Sequence, residues 1–193
     1  MTESAQWMKS LIRSMKAIPD DDALSQHLHM EDQRTENLLA AGPLDADLVR
    51  HLYAQHDPLS LVLRGRLHLE EAVDAVIAKR FQHAEVLLQG RSYSFSLKMD
   101  LLRAANYLDE KMYRDLAVIS RLRNSFAHHL SSEIGGYDLS VLSGCAGLKA
   151  VMQKLDGPES RERLNTFLFR QIIFQLLIRL VTKHKIAKHS AAE

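Results

Sequence analysis

The sequence predicts an all-α fold, a bundle of five to seven helices. Three observations carry this. Apolar residues recur at three- and four-residue intervals through most of the chain, and no stretch alternates apolar and polar as a half-buried strand does. Helix start signals stand at Asp57-Pro58, at Asp109 and at Pro158. Turn residues separate the periodic segments at Gly42-Pro43, Gly135-Gly136 and Asp156-Gly157-Pro158.

The opening segment places Trp7, Met8, Leu11, Ile12 and Met15 at helical spacing, and ends near Pro19 and the acidic run Asp20, Asp21, Asp22. The stretch up to Gly42-Pro43 is polar and weakly periodic, with one helix expected around Glu31 to Ala41. Residues 1–43 therefore read in two ways. They form an arm that packs on the body or on a second subunit, or a helix that completes the core. Residues 44–193 read as one helical-bundle domain.

A short helix is expected from Asp45 to about Gln55. In the next one, the Asp57 carboxylate caps free backbone N–H groups, and Pro58 takes the first helical position, where no donor is needed. Leu59, Val62, Leu63, Val73, Val76 and Ile77 supply its apolar stripe to about Phe81, with Glu70, Glu71 and Asp74 on the polar side. The run LLQGRSYSFS reads as a loop. Ser94 or Ser96 caps a helix carrying Leu97, Leu101, Leu102 and Ala105, and Asp109 caps one from Glu110 to about His129. Ser140 to Leu155 reads as a helix containing Gly144, Ala146 and Gly147. Each glycine costs about 1 kcal/mol against alanine, so close packing or a break is expected there. The last helix, from Pro158 to about Lys185, is apolar over more than one stripe. Such a helix is central to the bundle or buried against a partner.

The length of 193 residues suits one domain, and 46% hydrophobic with 25% charged residues is globular composition. A net charge of +1 excludes a strongly basic nucleic-acid binder but leaves room for a local basic site. The ten histidines add charge below about pH 6.5. The lone Cys145 excludes an internal disulfide and reads as a packed small residue. The longest apolar run, FLFRQIIFQLLIRLV, is interrupted by Arg170 and Arg179, and falls short of the roughly 18 residues a membrane span needs. The N-terminus lacks the basic start and apolar block of a secretory signal. A cytoplasmic protein without membrane contact is the expectation.

The most unusual run is ISRLRNSFAHHL, residues 119–130. At about 100° per residue, Leu116, Val118, Ile119, Leu122, Phe126 and Leu130 fall within a sector about 160° wide. Arg121, Asn124 and His128 lie together on the other side, with Arg114 one turn below. Arg123 falls at the edge of the apolar sector, about 140° from His128. Arg binds phosphate oxygens through a bidentate fork, and His exchanges protons near neutral pH. The same residues also read as a plain helix, with the Arg123 head paired to Asp115 or Glu110 and with Asn124 and His128 as neighbours on a wet face.

The run Arg123-Asn124-Ser125-Phe126-Ala127-His128 resembles the R-N-x-x-x-H signature of the HEPN superfamily. The wider pattern YLDEKMYRDLAVISRLRNSFAHHL also resembles the mannitol operon repressor (MtlR-like) family and related HEPN-like proteins. The likeness covers about residues 57–135. For the HEPN nucleases it implies a homodimer whose paired motifs form one cleft for RNA cleavage without metal or cofactor. Carried over, His128 is the general acid or base, Arg123 stabilises charge on the phosphoryl group, and Asn124 orients the histidine or the phosphate. Arg114, Arg121, His129, Lys183 and Lys185 are then candidate contacts to the RNA backbone. For the mannitol repressor branch it implies a regulator without enzymatic activity that acts through a protein partner. That partner would be a transcription factor, an antitoxin or a metabolic enzyme. Toxin-type members often carry a tyrosine two residues after the histidine, where this chain has Leu130.

Other constellations are weaker. His27 and His29, with Glu31 and Asp32 nearby, fit a solvated segment better than a metal site, because no second cluster at zinc spacing exists. Glu70, Glu71 and Asp74 fit an exposed helix face better than an acid–base pair. The tail TKHKIAKHS places cations at a helix end, where they complement the helix dipole.

Overall fold

Asp57 and Asp45 show how the helices are started. The Asp57 carboxylate accepts from the backbone N–H of Leu59 (3.3 Å) and of Ser60 (2.7 Å), and Pro58 follows as the first helical residue. Asp45 does the same for Asp47 and Leu48 at 2.7 and 3.3 Å, and Asp109 for Met112 at 2.8 Å. Ser94 caps the helix that begins at Phe95. Among the described residues nine α-helical segments result: α1 (residues 10–15), α2 (Asp21–Ala40), α3 (Ala46–Tyr53), α4 (Pro58–Arg80), α5 (Ala84–Leu88), α6 (Phe95–Ala104), α7 (Glu110–His128), α8 (Leu148–Met152) and α9 (Pro158–His184). The structure, a computed structural model, describes residues 10–15, 18, 21–40, 42, 44–54, 57–88, 93–128, 139, 142, 148–153, 155 and 157–184. No strand occurs among them, and the fold is an all-α bundle.

The count exceeds the expected five to seven because the described parts of α1, α5 and α8 are only five or six residues long. Apolar periodicity does not resolve so short a helix. α2 starts ten residues before the expected Glu31, because Leu24 and Leu28 pack into the core despite a polar sequence around them. The described helix in the segment 140–155 is the short α8, and Leu142 stands in a bend outside it. Gly144, Cys145, Ala146 and Gly147 lie outside the described residues, as do Trp7 and Met8. Leu11, Ile12 and Met15 of α1 are buried in the same hydrophobic cluster as α4 and α9.

α4 and α9 cross at the centre. α9 is buried around most of its circumference, including Phe167, Phe169, Ile173, Phe174 and Leu177. By length and composition it is apolar enough to cross a membrane, contrary to the reading that its arginines break the run; 72% of its most apolar window is buried inside the bundle. Arg170 and Arg179 do not face an apolar solvent here, since each pairs with a carboxylate, Asp32 at 2.6 Å and Asp109 at 3.1 Å. The crossing is set by Gly65 of α4. A Cβ built there would overlap Ile173 Cδ1, so any larger residue forces the end of the Ile173 side chain to move.

α6 closes with Asn106 at φ 58°, the left-handed conformation that asparagine tolerates. The N–H of Tyr107 reaches the carbonyl of Leu102 at 2.8 Å, and that of Asn106 reaches Arg103 at 2.9 Å. This is the paired hydrogen bonding of a Schellman cap. The turn delivers Tyr107 against Phe81 and edge-on to His184, with ring centroids 5.8 and 6.2 Å apart. The His184 ring is 2% exposed. Its Nδ1 accepts from Arg80 Nε at 3.4 Å, and its Nε2 has no hydrogen-bond partner among the described residues.

Two predictions follow from this packing. Gly65→Val drives a branched side chain into Ile173, and should lower stability in urea by about 3 kcal/mol. Burial, then the charges of Arg80 and Lys183, hold His184 below the usual histidine range. The folded state therefore resists a proton that the unfolded chain accepts near pH 6.5. The associated stability is complete above about pH 6.5 and falls as pH drops toward the lower folded pKa. Denaturation of wild type and His184→Gln from pH 8 to 5 checks this: the loss on acidification should be smaller in the variant.

Candidate functional site

On α7 the two faces separate as the helical spacing requires. Leu116, Ile119, Leu122 and Phe126 are 0, 0, 4 and 2% exposed, while Arg114, Arg121 and Asn124 face solvent. Arg123 is exposed as well. Its charge acts on Arg66 across the seam between α7 and α4. Its guanidinium Nη1 donates to the neighbouring Asn124 Oδ1 at 3.3 Å. The alternative partner Glu110 is taken by Arg103 at 2.6 Å. Among the described residues Arg123 makes no ion pair.

The seam carries a layered charge network. Arg66 pairs with Glu70 along α4 and lies over the Phe95 ring, its Cζ 4.1 Å from the centroid. Lys98 of α6 reaches Glu70 at 3.3 Å and Asp74 at 2.7 Å. Glu70 and Asp74 are thus structural ion-pair partners in a half-buried layer, which corrects the expectation of an exposed face. Glu71 alone stays on the outside, paired to His68 at 3.0 Å. Burial, and next the charge of Arg123, press the Arg66 guanidinium toward its neutral form, with Asp74 opposing. Of these groups Arg123 alone has no ion-pair partner among the described residues. An anion placed there relieves the repulsion between the two guanidiniums, and both forks suit phosphate oxygens.

His128 is the last residue of α7, and its side chain lies outside what the structure describes, as do His129 and Lys185. Arg123 and Asn124 come together; Arg114 and Arg121 share the exposed side of the same helix. Lys183 does not join them. It bridges Asp109 at 3.7 Å, at the N-terminal end of α7. From there to Arg123 is about 21 Å along the helix. Lys183 and Arg179 instead hold the carboxylate that caps α7. His27 and His29 are held by hydrogen bonds to Ser14 (3.2 Å) and Gln33 (3.1 Å), and Asp32 is drawn to Arg170 rather than solvated. No metal-holding group of three His, Cys, Asp or Glu occurs among the described residues.

Arg66, Lys98 and Phe95 are the members of the site that sequence reasoning missed. One signal was available: Arg66, Glu70 and Asp74 recur every four residues and so share a helix face. Nothing local could have pointed that face at Arg123. No family model, no curated protein and no solved structure matches this chain.

The two faces of α7 should respond oppositely to mutation. Leu122→Ala removes a buried side chain and is expected to cost about 3 kcal/mol. Arg123→Ala, exposed and repelled by Arg66, should change stability by less than about 0.5 kcal/mol. Parallel chemical denaturation of the two variants measures both.

Proposed function

We propose that this protein is a dimeric, HEPN-like endoribonuclease that cleaves RNA without a metal ion, through Arg123, Asn124 and His128. The observation that carries the reading is the exposed Arg123 guanidinium, which has no ion pair among the described residues, donates to Asn124 and acts on the charge of Arg66. A residue kept only to anchor α7 would be expected to hold a carboxylate. The resemblance of residues 123–128 to the R-N-x-x-x-H signature supplies the rest. In this reaction the ribose 2′-hydroxyl loses its proton and forms a bond to phosphorus. The bond to the 5′-oxygen breaks, and that oxygen takes up a proton. His128 serves one of the two proton transfers, and Arg123 stabilises the charge on the phosphoryl oxygens. Because Arg123 and His128 point about 140° apart on one ideal helix, a second subunit brings an arginine to each histidine. Arg114 and Arg121 add contacts to the backbone that weaken as salt rises.

Purified protein is expected to cut RNA in the presence of EDTA. His128→Ala and Arg123→Ala should each slow cleavage by about 100-fold or more. RNA left intact by the wild type, or cut equally by the His128→Ala variant, overturns the proposal. Intact RNA together with capture of a defined transcription factor or metabolic enzyme would instead support the mannitol-repressor-like regulator.

A further inference from the structure

A cleft of about 440 Å³ opens between α2 and α9, with Pro58 on its edge. That volume lies in the range of small-molecule sites. Its floor is the Arg170–Asp32 pair, 2.6 Å apart. Arg170 is 7% exposed and lies over the Tyr53 ring at 4.9 Å. Behind the pair, the Gln171 amide donates to the second Asp32 oxygen at 3.4 Å and stands 3.4 Å from the Tyr53 hydroxyl. Both charges are therefore fixed from inside the bundle. Asp32 keeps 24% of its side chain accessible and is among the residues lining the cleft. Burial pushes its carboxyl above the usual range, against the pull of Arg170.

This arrangement is a poor device for stability alone. A buried ion pair loses much of its attraction to desolvation, and apolar residues of similar volume often do as well or better. α2 and α9 already have Leu24, Leu28 and Phe167 to pack with. A charged floor under an open cleft is instead suited to a ligand.

The lining decides which ligand. Three carboxylates (Asp32 of α2, Glu159 and Glu162 of α9), two guanidiniums (Arg163 and Arg170 of α9) and His29 of α2 line the one cleft, and Arg163 lies 4.0 Å from Glu159. A plain anion meets the carboxylates, and a plain cation meets the guanidiniums. A molecule with both charges satisfies both. Arg163 is 63% accessible at the rim, steadied by the Ser25 hydroxyl at 3.2 Å, with Thr166 one turn along the helix. Arg163 and Arg170 are two turns apart, about 10.5 Å along α9. Leu28, Phe167 and Pro58 supply apolar wall between these polar ends.

We propose that this cleft binds a small zwitterion of the amino-acid class. Its carboxylate meets Arg163 and the Thr166 hydroxyl, its ammonium meets Asp32, and its side chain lies on Leu28 and Phe167. The site is separate from the α4–α7 seam, and the proposal does not depend on the RNA-cleavage reading.

Calorimetric titration of the full chain with each of the twenty common L-amino acids tests it. L-leucine is run beside 4-methylpentanoate, which lacks the amine, and 3-methylbutylamine, which lacks the carboxylate. At least one amino acid should bind saturably with a Kd of about 1 mM or tighter, and its single-charge analogues at least about tenfold more weakly. Arg163→Gln, an exposed change that leaves the core intact, should weaken binding about tenfold, as should Asp32→Asn. Three results overturn the proposal: no saturable binding by any of the twenty up to 10 mM, an analogue that binds as tightly, or undiminished binding by Arg163→Gln.

Discussion

The close approach of α4 to α9 is the constraint on which the rest of the bundle depends. Gly65 has no side chain, and Ile173 Cδ1 occupies the space one would need. α9 can then bury nearly its whole circumference, and α4 becomes a shared wall. α7, α6 and α5 pack on one part of it, while α2 packs on α9. Because interiors are close-packed, a change of one methylene at this crossing is transmitted to every helix resting on it. The capping carboxylates of Asp45, Asp57 and Asp109 fix where each helix begins, but the crossing fixes where it lies.

An apolar bundle so centred leaves its charges at the seams. Arg66, Glu70, Lys98 and Asp74 tie α4 to α6, and Arg170 with Asp32 ties α9 to α2. Arg179 and Lys183 return from α9 to the cap of α7. Four arginines also lie over aromatic rings, at Phe95, Tyr107, Tyr113 and Tyr53. In each contact the guanidinium carbon lies 4.1 to 5.4 Å from the ring centroid, where the ring face attracts its charge. Ion pairs of this kind add little net stability, and their value lies in choosing one arrangement among many compact ones. They also prepare surfaces. The α4–α7 seam carries Arg123, which has no ion pair among the described residues, and the α2–α9 seam ends as a cleft of mixed charge.

These two surfaces use the same physics differently. At Arg123 the charge is exposed to solvent, where it is inexpensive to keep. At Arg170 the charge is withdrawn behind Asp32. The first is proposed to meet an RNA backbone, and the second a small molecule with two charges. A single chain of near-neutral net charge can carry both, because recognition depends on local fields rather than on the total.

By itself, the sequence determined the helical class, the caps at Asp57-Pro58 and Asp109, and the buried stripe Leu116, Ile119, Leu122, Phe126. It also determined that Asn124 faces outward. Each is a local property, set by 3.6-residue periodicity or by hydrogen bonds within one turn. Only the tertiary structure decided the rest. α2 is helical from Asp21 because α9 offers it a surface, although its own stripe is sparse. Lys183 belongs to the Asp109 cap, not to the Arg123 motif, because α9 ends at the N-terminal end of α7. Glu70 and Asp74 are ion-pair partners because α6 brings Lys98 to them across 28 and 24 residues of chain. Arg123 is exposed beside Arg66, and Asp32 is drawn onto Arg170 across 138 residues. Contacts between distant segments are set by which faces pack. That choice is made by shape complementarity at crossings such as Gly65–Ile173, and it leaves no periodic trace in the sequence.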